Sequence, residues 1–249
     1  MTMTPSRGRA RIGVLVPFTN TNLEPDLALL RPQGVSLHIA RMGGYDQDEV
    51  PDADQMHGLG AADLDGPLGL LQGVRPDVVL YGCTSATLTH GPAFDRSLAQ
   101  RIKAESGAEI VTAAGALVAA LKALNVRQIG FASPYVAAIN DMAIGFLAEC
   151  GIETKARSEF GQTLDNYGQG ALGPDAVFEL GQAADHPQAE ALVLSCTDMR
   201  SVEVIARLEQ AVGKPVITSN QAMMFQAMQY ARIGDAVQGY GQLLQKDRI

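Results

Sequence analysis

The chain has 249 residues, a formal net charge of −8, 47% hydrophobic residues and 18% charged residues. This composition is typical of a globular protein with a buried core and argues against extensive disorder. The negative charge disfavours nucleic acid as a partner. No apolar run approaches the roughly 18 residues of a membrane span, and the first run, at residues 12–16, is too short for a signal peptide. We therefore expect a cytoplasmic protein that binds neither nucleic acid nor membranes.

Short apolar runs alternate with helical patterns along the whole chain. In chain order, strands are predicted at residues 11–17, 35–41, 77–80, 109–112, 128–134, 153–160, 191–194 and 215–217. Helices are predicted from about residue 23 and at residues 56–71, 92–106, 113–124, 136–149, 174–184, 199–212 and 222–231. Strands that alternate with helices in this way indicate parallel α/β units.

The pattern restarts near residue 125. The segment RIGVLVP at residues 11–17 is similar to QIGFASP at residues 128–134, and a second pair of landmarks, Cys83 and Cys196, recurs at nearly the same offset. Two landmarks at similar offsets predict an internal duplication.

The duplication predicts two pseudo-symmetric α/β halves, each built on a parallel sheet, with the active site in the cleft between them. The predicted halves are residues 10–125 and residues 126–235. Flexible segments are expected at residues 1–9 and 236–249.

Two of the three cysteines lie where an open α/β sheet binds ligands. Cys83 and Cys196 each follow a predicted strand and precede a threonine, and the carboxyl ends of parallel strands form the ligand-binding edge. A thiolate is a strong nucleophile, and nearby N–H dipoles lower its pKa. The competing interpretation is that a free cysteine is a small buried apolar residue, which fits Cys150.

The sequence gives no indication of a metal or a nucleotide. The cysteines are widely spaced and the histidines lack the spacing of zinc ligands, and no phosphate-binding glycine motif is present. We predict no cofactor.

Three polar residues in loops have both a structural and a functional interpretation. Asn20 either caps the first helix or binds a carboxylate. Tyr135, after the first strand of the second half, is a core aromatic or a ligand contact. Asn166 lies in a loop with a neighbouring glycine, where turn chemistry alone explains it.

Four motifs, in this order, resemble one known family. They are PFTNTNLEP at residues 17–25, GCTS at 82–85, SCTDMR at 195–200 and SNQA at 219–222. Together they resemble the maleate cis–trans isomerase and arylmalonate decarboxylase branch of the Asp/Glu racemase superfamily, over about residues 10–232. The fold of that family, two pseudo-symmetric α/β halves with the site between them, agrees with the predicted duplication.

The resemblance implies roles for nine residues. The implied catalytic residues are Cys83, the nucleophile of the isomerases, and Cys196. The implied substrate-binding residues are Asn20, Thr84, Ser85, Tyr135, Asn166, Thr197 and Asp198. The decarboxylases carry glycine at the first cysteine, so Cys83 disfavours a plain decarboxylase. Asp198 stands where asparagine is common in the family, and its carboxylate would disfavour a dianionic substrate.

The expected function is a cofactor-independent isomerisation of a small dicarboxylate, with maleate to fumarate as the reaction and a Cys83 thiolate adding to the alkene. One alternative is a racemase, an epimerase or a related enzyme, such as one of ectoine breakdown, that uses the two thiols as an acid/base pair. Others are an arylmalonate-type decarboxylase and a non-catalytic carboxylate-binding protein. The resemblance also implies a homo-oligomer.

Overall fold

A computed structural model describes residues 7–43 and 46–245, without the side chain of Arg7. The strands within these residues form two four-stranded parallel sheets. They are β1 Arg7–Pro17, β2 Gly34–Met42, β3 Val78–Tyr81, β4 Glu109–Thr112, β5 Gln128–Ser133, β6 Glu153–Glu159, β7 Ala191–Leu194 and β8 Val216–Thr218. The strand order is β2-β1-β3-β4 in the first sheet and β6-β5-β7-β8 in the second. The predicted α/β class with two similar halves is confirmed.

Helices connect the strands in both halves. The first half contains α1 Leu23–Leu30, α2 Ala53–Ala61, α3 Asp65–Gln72, α4 Thr84–Leu88, α5 Gly91–Ser106 and α6 Ala113–Ala123. The second half contains α7 Ala137–Glu149, α8 Gly168–Ala171, α9 Pro174–Ala183, α10 Ile205–Val212 and α11 Ser219–Tyr230. Among the described residues, no helix has both the length and the apolar character that crossing a lipid bilayer requires.

The pairing of the strands reproduces the repeat seen in the sequence. Leu15 of β1 is paired with Tyr81 of β3, and Ala132 of β5 is paired with Leu194 of β7. These two pairs are related by the same offsets as the sequence landmarks. Cys83 lies two residues after the end of β3, and Cys196 lies two residues after the end of β7. The two cysteines therefore occupy equivalent positions in the two sheets.

The helices that follow the last strand of each half are also equivalent. Thr112 and Thr218 end β4 and β8, and their hydroxyls accept hydrogen bonds from the N–H groups of Gly115 and Gln221. These threonine caps start α6 and α11. The two helices pack against each other, and α11 also packs against α1. Contact between the halves is thus made largely by symmetry-related elements.

The described parts of both predicted flexible segments have defined structure, and residues 246–249 of the second segment lie outside the described residues. β1 begins at Arg7, so residues 7–9 belong to the sheet, while residues 1–6 of the predicted tail lie outside the described residues. Arg9 forms an ion pair with Asp235, with Nη2 2.9 Å from Oδ1. In the predicted C-terminal extension, Leu243 and Leu244 are buried, because their apolar side chains complete the core beside α11.

Two predicted helices are interrupted. The pattern at residues 56–71 contains two helices, separated at residues 62–64, where the Asp63 carboxylate accepts a hydrogen bond from the N–H of Asp65. The segment at residues 199–212 begins with a turn and a 3-10 helix, Val202–Val204, before α10. Val202 and Val204 are both buried, and a spacing of two does not place residues on one face of an α-helix.

Two helix starts also differ from the prediction. α11 begins at Ser219, so residues 219–221 form its first turn, and Thr218 provides the cap. α4 was not predicted, because a helix of five residues is too short for an apolar period.

Candidate active site

Cys83 lies between β3 and α4, and its thiol faces the start of that helix. The N–H groups of Ser85 and Ala86 at the start of α4 favour the thiolate form, and the Ser85 hydroxyl lies 3.6 Å from Sγ. Burial raises the pKa of Cys83, and the two N–H groups oppose the shift because they stabilise the thiolate. Cys83 is therefore a buried thiol with thiolate-stabilising donors already in place.

Cys196 occupies the equivalent position after β7, but its surroundings favour the protonated thiol. Burial raises its pKa to about 12, and the nearby Asp198 carboxylate contributes in the same direction. Its Sγ donates to the side-chain oxygen of Gln169 at 3.5 Å, and it accepts the N–H of Asp198 at 3.4 Å. The thiol is therefore suited to giving a proton and taking it back.

The two thiols line one cavity between the halves. The cavity encloses about 430 Å³, including the space at its open mouth. It is lined by Pro17, Thr19, Asn20, Pro51, Met56, Leu59, Cys83, Ser85, Tyr135, Ile139, Asn166, Gln169, Cys196, Thr197 and Asp198. Eight of the nine residues implied by the family resemblance are among them.

Thr84 is the exception. It is fully buried, and its hydroxyl donates to the Ser219 hydroxyl at 2.9 Å. The side chain of Thr84 therefore contacts the second half, because Ser219 starts α11, and a substrate contact through its backbone N–H stays a prediction. The residue holds α4 against the second half.

Tyr135 and Ser85 place two hydroxyls beside the thiols. Tyr135 lines the cavity together with Ser85 and Cys196, and burial raises the pKa of its hydroxyl well above the ordinary value, with both thiols adding to the rise. The Ser85 hydroxyl points towards the sulfur of Met56 at 2.9 Å. A thioether is a weak acceptor, so the Ser85 hydroxyl is available to a stronger one. The neutral hydroxyls of Ser85 and Tyr135 are suited to donating hydrogen bonds to a bound carboxylate.

Asn20 and Thr197 tie the two halves together under the cavity. The Asn20 amide nitrogen donates to the Thr197 hydroxyl at 3.1 Å, and that hydroxyl donates to the carbonyl of Gly82 at 3.0 Å. The Asn20 side-chain oxygen accepts the N–H of Leu23 at 2.9 Å. Asn20 therefore accepts a hydrogen bond from the first residue of α1 and lines the cavity, and its binding of a carboxylate stays a prediction.

Asp198 extends into the loop that follows β1. Its Oδ1 accepts hydrogen bonds from the N–H of Thr21 at 2.9 Å and from the N–H and side-chain amide of Asn22, both at 3.1 Å. Burial nevertheless raises its pKa to about 6. A Cβ on Gly170 would lie 2.9 Å from Oδ2, so a glycine is needed beside the carboxylate.

Asn166 holds the loop at residues 46–50 across the mouth of the cavity. Its amide nitrogen lies 2.9 to 3.3 Å from the carbonyl oxygens of Asp46, Gln47 and Glu49. The neighbouring Tyr167 hydroxyl donates to the Gln47 side chain at 3.3 Å. Asn166 therefore does more than stabilise its own turn, because its side chain connects the second half to a loop of the first half.

Sequence reasoning missed Gln169 and the apolar side of the cavity. Gln169 follows the Asn166 loop closely, and its only signal was the pair of flanking glycines that allow a tight turn. The apolar residues Pro51, Met56, Leu59 and Ile139 fit loop or core patterns. Their exposure to a cavity depends on how the halves meet, which periodicity does not reveal.

The similarity to known proteins agrees with this geometry. The sequence profile of the arylmalonate decarboxylase family matches residues 12–244. The chain belongs to this family. The branch predicted from the four motifs is confirmed.

Family relatives include enzymes of two activities. Over 94% of its length, the chain is 26% identical to the maleate isomerase of Pseudomonas putida and covers 96% of that protein. Over 92% of its length it is 27% identical to the arylmalonate decarboxylase of Bordetella bronchiseptica, covering 91% of it.

A solved structure has the same fold. It is a cysteine-to-serine mutant of the Nocardia farcinica maleate cis–trans isomerase with a covalently bound succinylcysteine intermediate. Its TM-score is 0.86 at 23% identity, and the match covers 96% of this chain and 99% of that one. Two parallel sheets that face each other across a cavity are thus the fold of this branch.

Proposed function

We propose that this protein is an enzyme, a cofactor-independent isomerase that uses Cys83 as nucleophile and Cys196 as acid and base on a small cis-alkenoate. The observation that supports this most is the difference between the two thiols in one cavity. The backbone N–H groups of Ala86 and Ser85 counter the rise that burial causes in the pKa of Cys83, whereas burial raises the pKa of Cys196 to about 12. The active form then carries a thiolate at Cys83 and a thiol at Cys196.

The reaction begins with addition to the double bond. The Cys83 thiolate forms a C–S bond to one alkene carbon, and the neighbouring carbon takes the proton of the Cys196 thiol. The adduct has a carbon–carbon single bond and rotates about it. The Cys196 thiolate then removes the proton, the double bond reforms in the trans geometry and the Cys83 thiolate leaves.

Two hydroxyls support this chemistry. Ser85 and Tyr135 lie beside the thiols, where they can donate to the substrate carboxylate and stabilise the charge that develops on it during addition. The relatives named maleate isomerase favour a cis-alkene substrate, and the intermediate in the Nocardia farcinica mutant is of the kind that thiol addition to maleate produces.

The test is an NMR assay of cis-to-trans conversion with maleate, its monoamide maleamate and its monomethyl ester. Cys83→Ser and Cys196→Ser are each expected to lower turnover by about 100-fold or more. Cys150→Ser is the matched control, because Cys150 lies outside the cavity. Mass spectrometry of Cys196→Ser with substrate should find the adduct on Cys83. Unchanged turnover in Cys83→Ser would exclude covalent catalysis there.

A second candidate is racemisation or epimerisation at a carbon next to a carboxylate. The observation that favours it is that burial raises the pKa of both thiols. In such a reaction one cysteine removes a proton from one face of the carbon and the other cysteine donates a proton to the opposite face. Incubating each enantiomer of a 2-substituted acid in heavy water separates the two reactions, since racemisation introduces deuterium at the α-carbon. Cytoplasmic location and homo-oligomeric assembly stay predictions from the sequence.

A further inference from the structure

The cavity wall already holds a carboxylate, that of Asp198. Its Oδ1 receives two backbone N–H groups, of Thr21 and Asn22, and the side-chain amide of Asn22. Clustered N–H donors of this kind are what proteins use to hold an anion. In this chain the donors of the loop after β1 are occupied by the protein's own carboxylate.

The other polar groups near Asp198 are also engaged. The amide nitrogen of Asn20 donates to Thr197, and the amide nitrogen of Asn166 donates to the carbonyls of the loop at residues 46–50. Among the described residues that line the cavity, none is a lysine, arginine or histidine. Arg41 lies behind the wall, where it donates to the carbonyl of Asn20 and forms an ion pair with Glu24.

The remaining lining residues are mostly apolar, and the side chains of Thr19 and Gln169 are the polar exceptions. Pro51, Met56, Leu59 and Ile139 line the cavity and offer no side-chain donor. A second substrate carboxylate would face Asp198 and these residues without a cation, and two like charges in a partly buried site repel strongly. A neutral group avoids both the repulsion and the loss of its hydration.

We propose that the substrate carries one carboxylate, bound at the Ser85 and Tyr135 hydroxyls, and that its other end is a neutral group such as an amide, ester or ketone. The inference rests on the proposed isomerase function and replaces the dicarboxylate expected from the family resemblance. Asp198 is then the residue that selects against a dianion.

The experiment compares maleate with maleamate, which differ in charge and little in size. At pH 8 the Asp198 carboxylate is ionised, since its pKa is about 6. Wild type is expected to convert maleamate with a kcat/KM about tenfold or more above that for maleate. Asp198→Asn keeps the side-chain oxygen that Thr21 and Asn22 bind, and it is expected to bring the two values within about threefold. Asp175→Asn, an exposed change on α9, should leave the ratio as in wild type.

Outcomes separate this inference from the proposed function. If wild type isomerises maleate as well as or better than maleamate, the inference is wrong and the isomerase function stands. If neither is isomerised and no adduct forms on Cys83, the isomerase function is wrong. Thermal-shift titration of wild type with succinate and succinamate then tests charge selection without turnover or a variant. Stronger binding of succinamate supports it, whereas equal or stronger binding of succinate, or no binding of either, overturns it.

Discussion

Asp26 is a buried carboxyl group whose ionisation should weaken the fold at neutral pH. It lies on α1, is 3% exposed, and accepts a hydrogen bond from the Asn220 amide on α11 at 2.7 Å. Burial raises its pKa to about 7, although the Asn220 bond acts in the opposite direction and the Glu203 carboxylate adds to the rise. The substitution Asp26→Asn removes the charge and keeps a side-chain oxygen that can accept the hydrogen bond from Asn220.

The magnitude follows from the two pKa values. An unperturbed aspartate has a pKa of 3.8, so the folded state binds this proton more tightly than the unfolded state. The contribution of Asp26 to the free energy of unfolding is therefore highest at low pH. It falls as the pH rises from about 4 to about 7 and is constant above that. The difference between 3.8 and about 7 corresponds to about 4 kcal/mol, lost by wild type at pH 8 and not by Asp26→Asn.

The assay is urea unfolding of wild type and Asp26→Asn at several pH values between 4 and 8. The difference in the free energy of unfolding should be small at pH 4 and should grow by up to about 4 kcal/mol in favour of the variant at pH 8. The control Asp175→Asn changes an exposed ion pair with Arg207 and should shift stability by less than about 1 kcal/mol. A difference between wild type and Asp26→Asn that does not depend on pH would refute the argument.

Three further predictions follow from packing and from the site. Gly82→Ala would place a Cβ 2.3 Å from Leu23 Cδ2 and 2.8 Å from the Leu15 carbonyl. We expect it to destabilise the folded protein by about 1–3 kcal/mol in thermal unfolding. In the control Gly69→Ala, on α3, the new Cβ meets nothing within 4 Å and should not destabilise the protein. Asn166→Ala removes the bonds to the loop at residues 46–50 and should speed its proteolysis, whereas Tyr167→Phe should change the rate little; equal rates in all three proteins would contradict this. At pH 8, iodoacetamide should label Cys83 faster than Cys196, whose pKa is about 12, and faster labelling of Cys196 in a peptide map would reverse the assigned roles.

The strands and both cysteine positions could be predicted from the sequence because they depend on local patterns. β4 has the predicted limits, and β3 and β7 differ from them by at most one residue. A buried parallel strand reads as a short apolar run, and its carboxyl end is where a ligand-binding residue is expected. The duplication then linked Cys83 to Cys196 across the two halves.

Contacts between residues far apart in sequence could not be predicted. Thr84 has the same local motif as a carboxylate-binding residue, yet its hydroxyl is engaged by Ser219 of the other half. The short α4 and the 3-10 helix before α10 are too short to give a periodic signal.

The sequence by itself determined the α/β class, the repeat and the two thiols, because apolar period, turn residues and motif order are written within short segments. Only the tertiary structure decided how the thiols differ and what surrounds them. Burial, the donors at Cys83 and the carboxylate of Asp198 near Cys196 depend on how the two halves meet. The hydrogen bonds around Asp198 show this dependence most directly. The loop after β1 and the residue after β7 must come together before the N–H groups of the loop can bind the Asp198 carboxylate in the cavity wall.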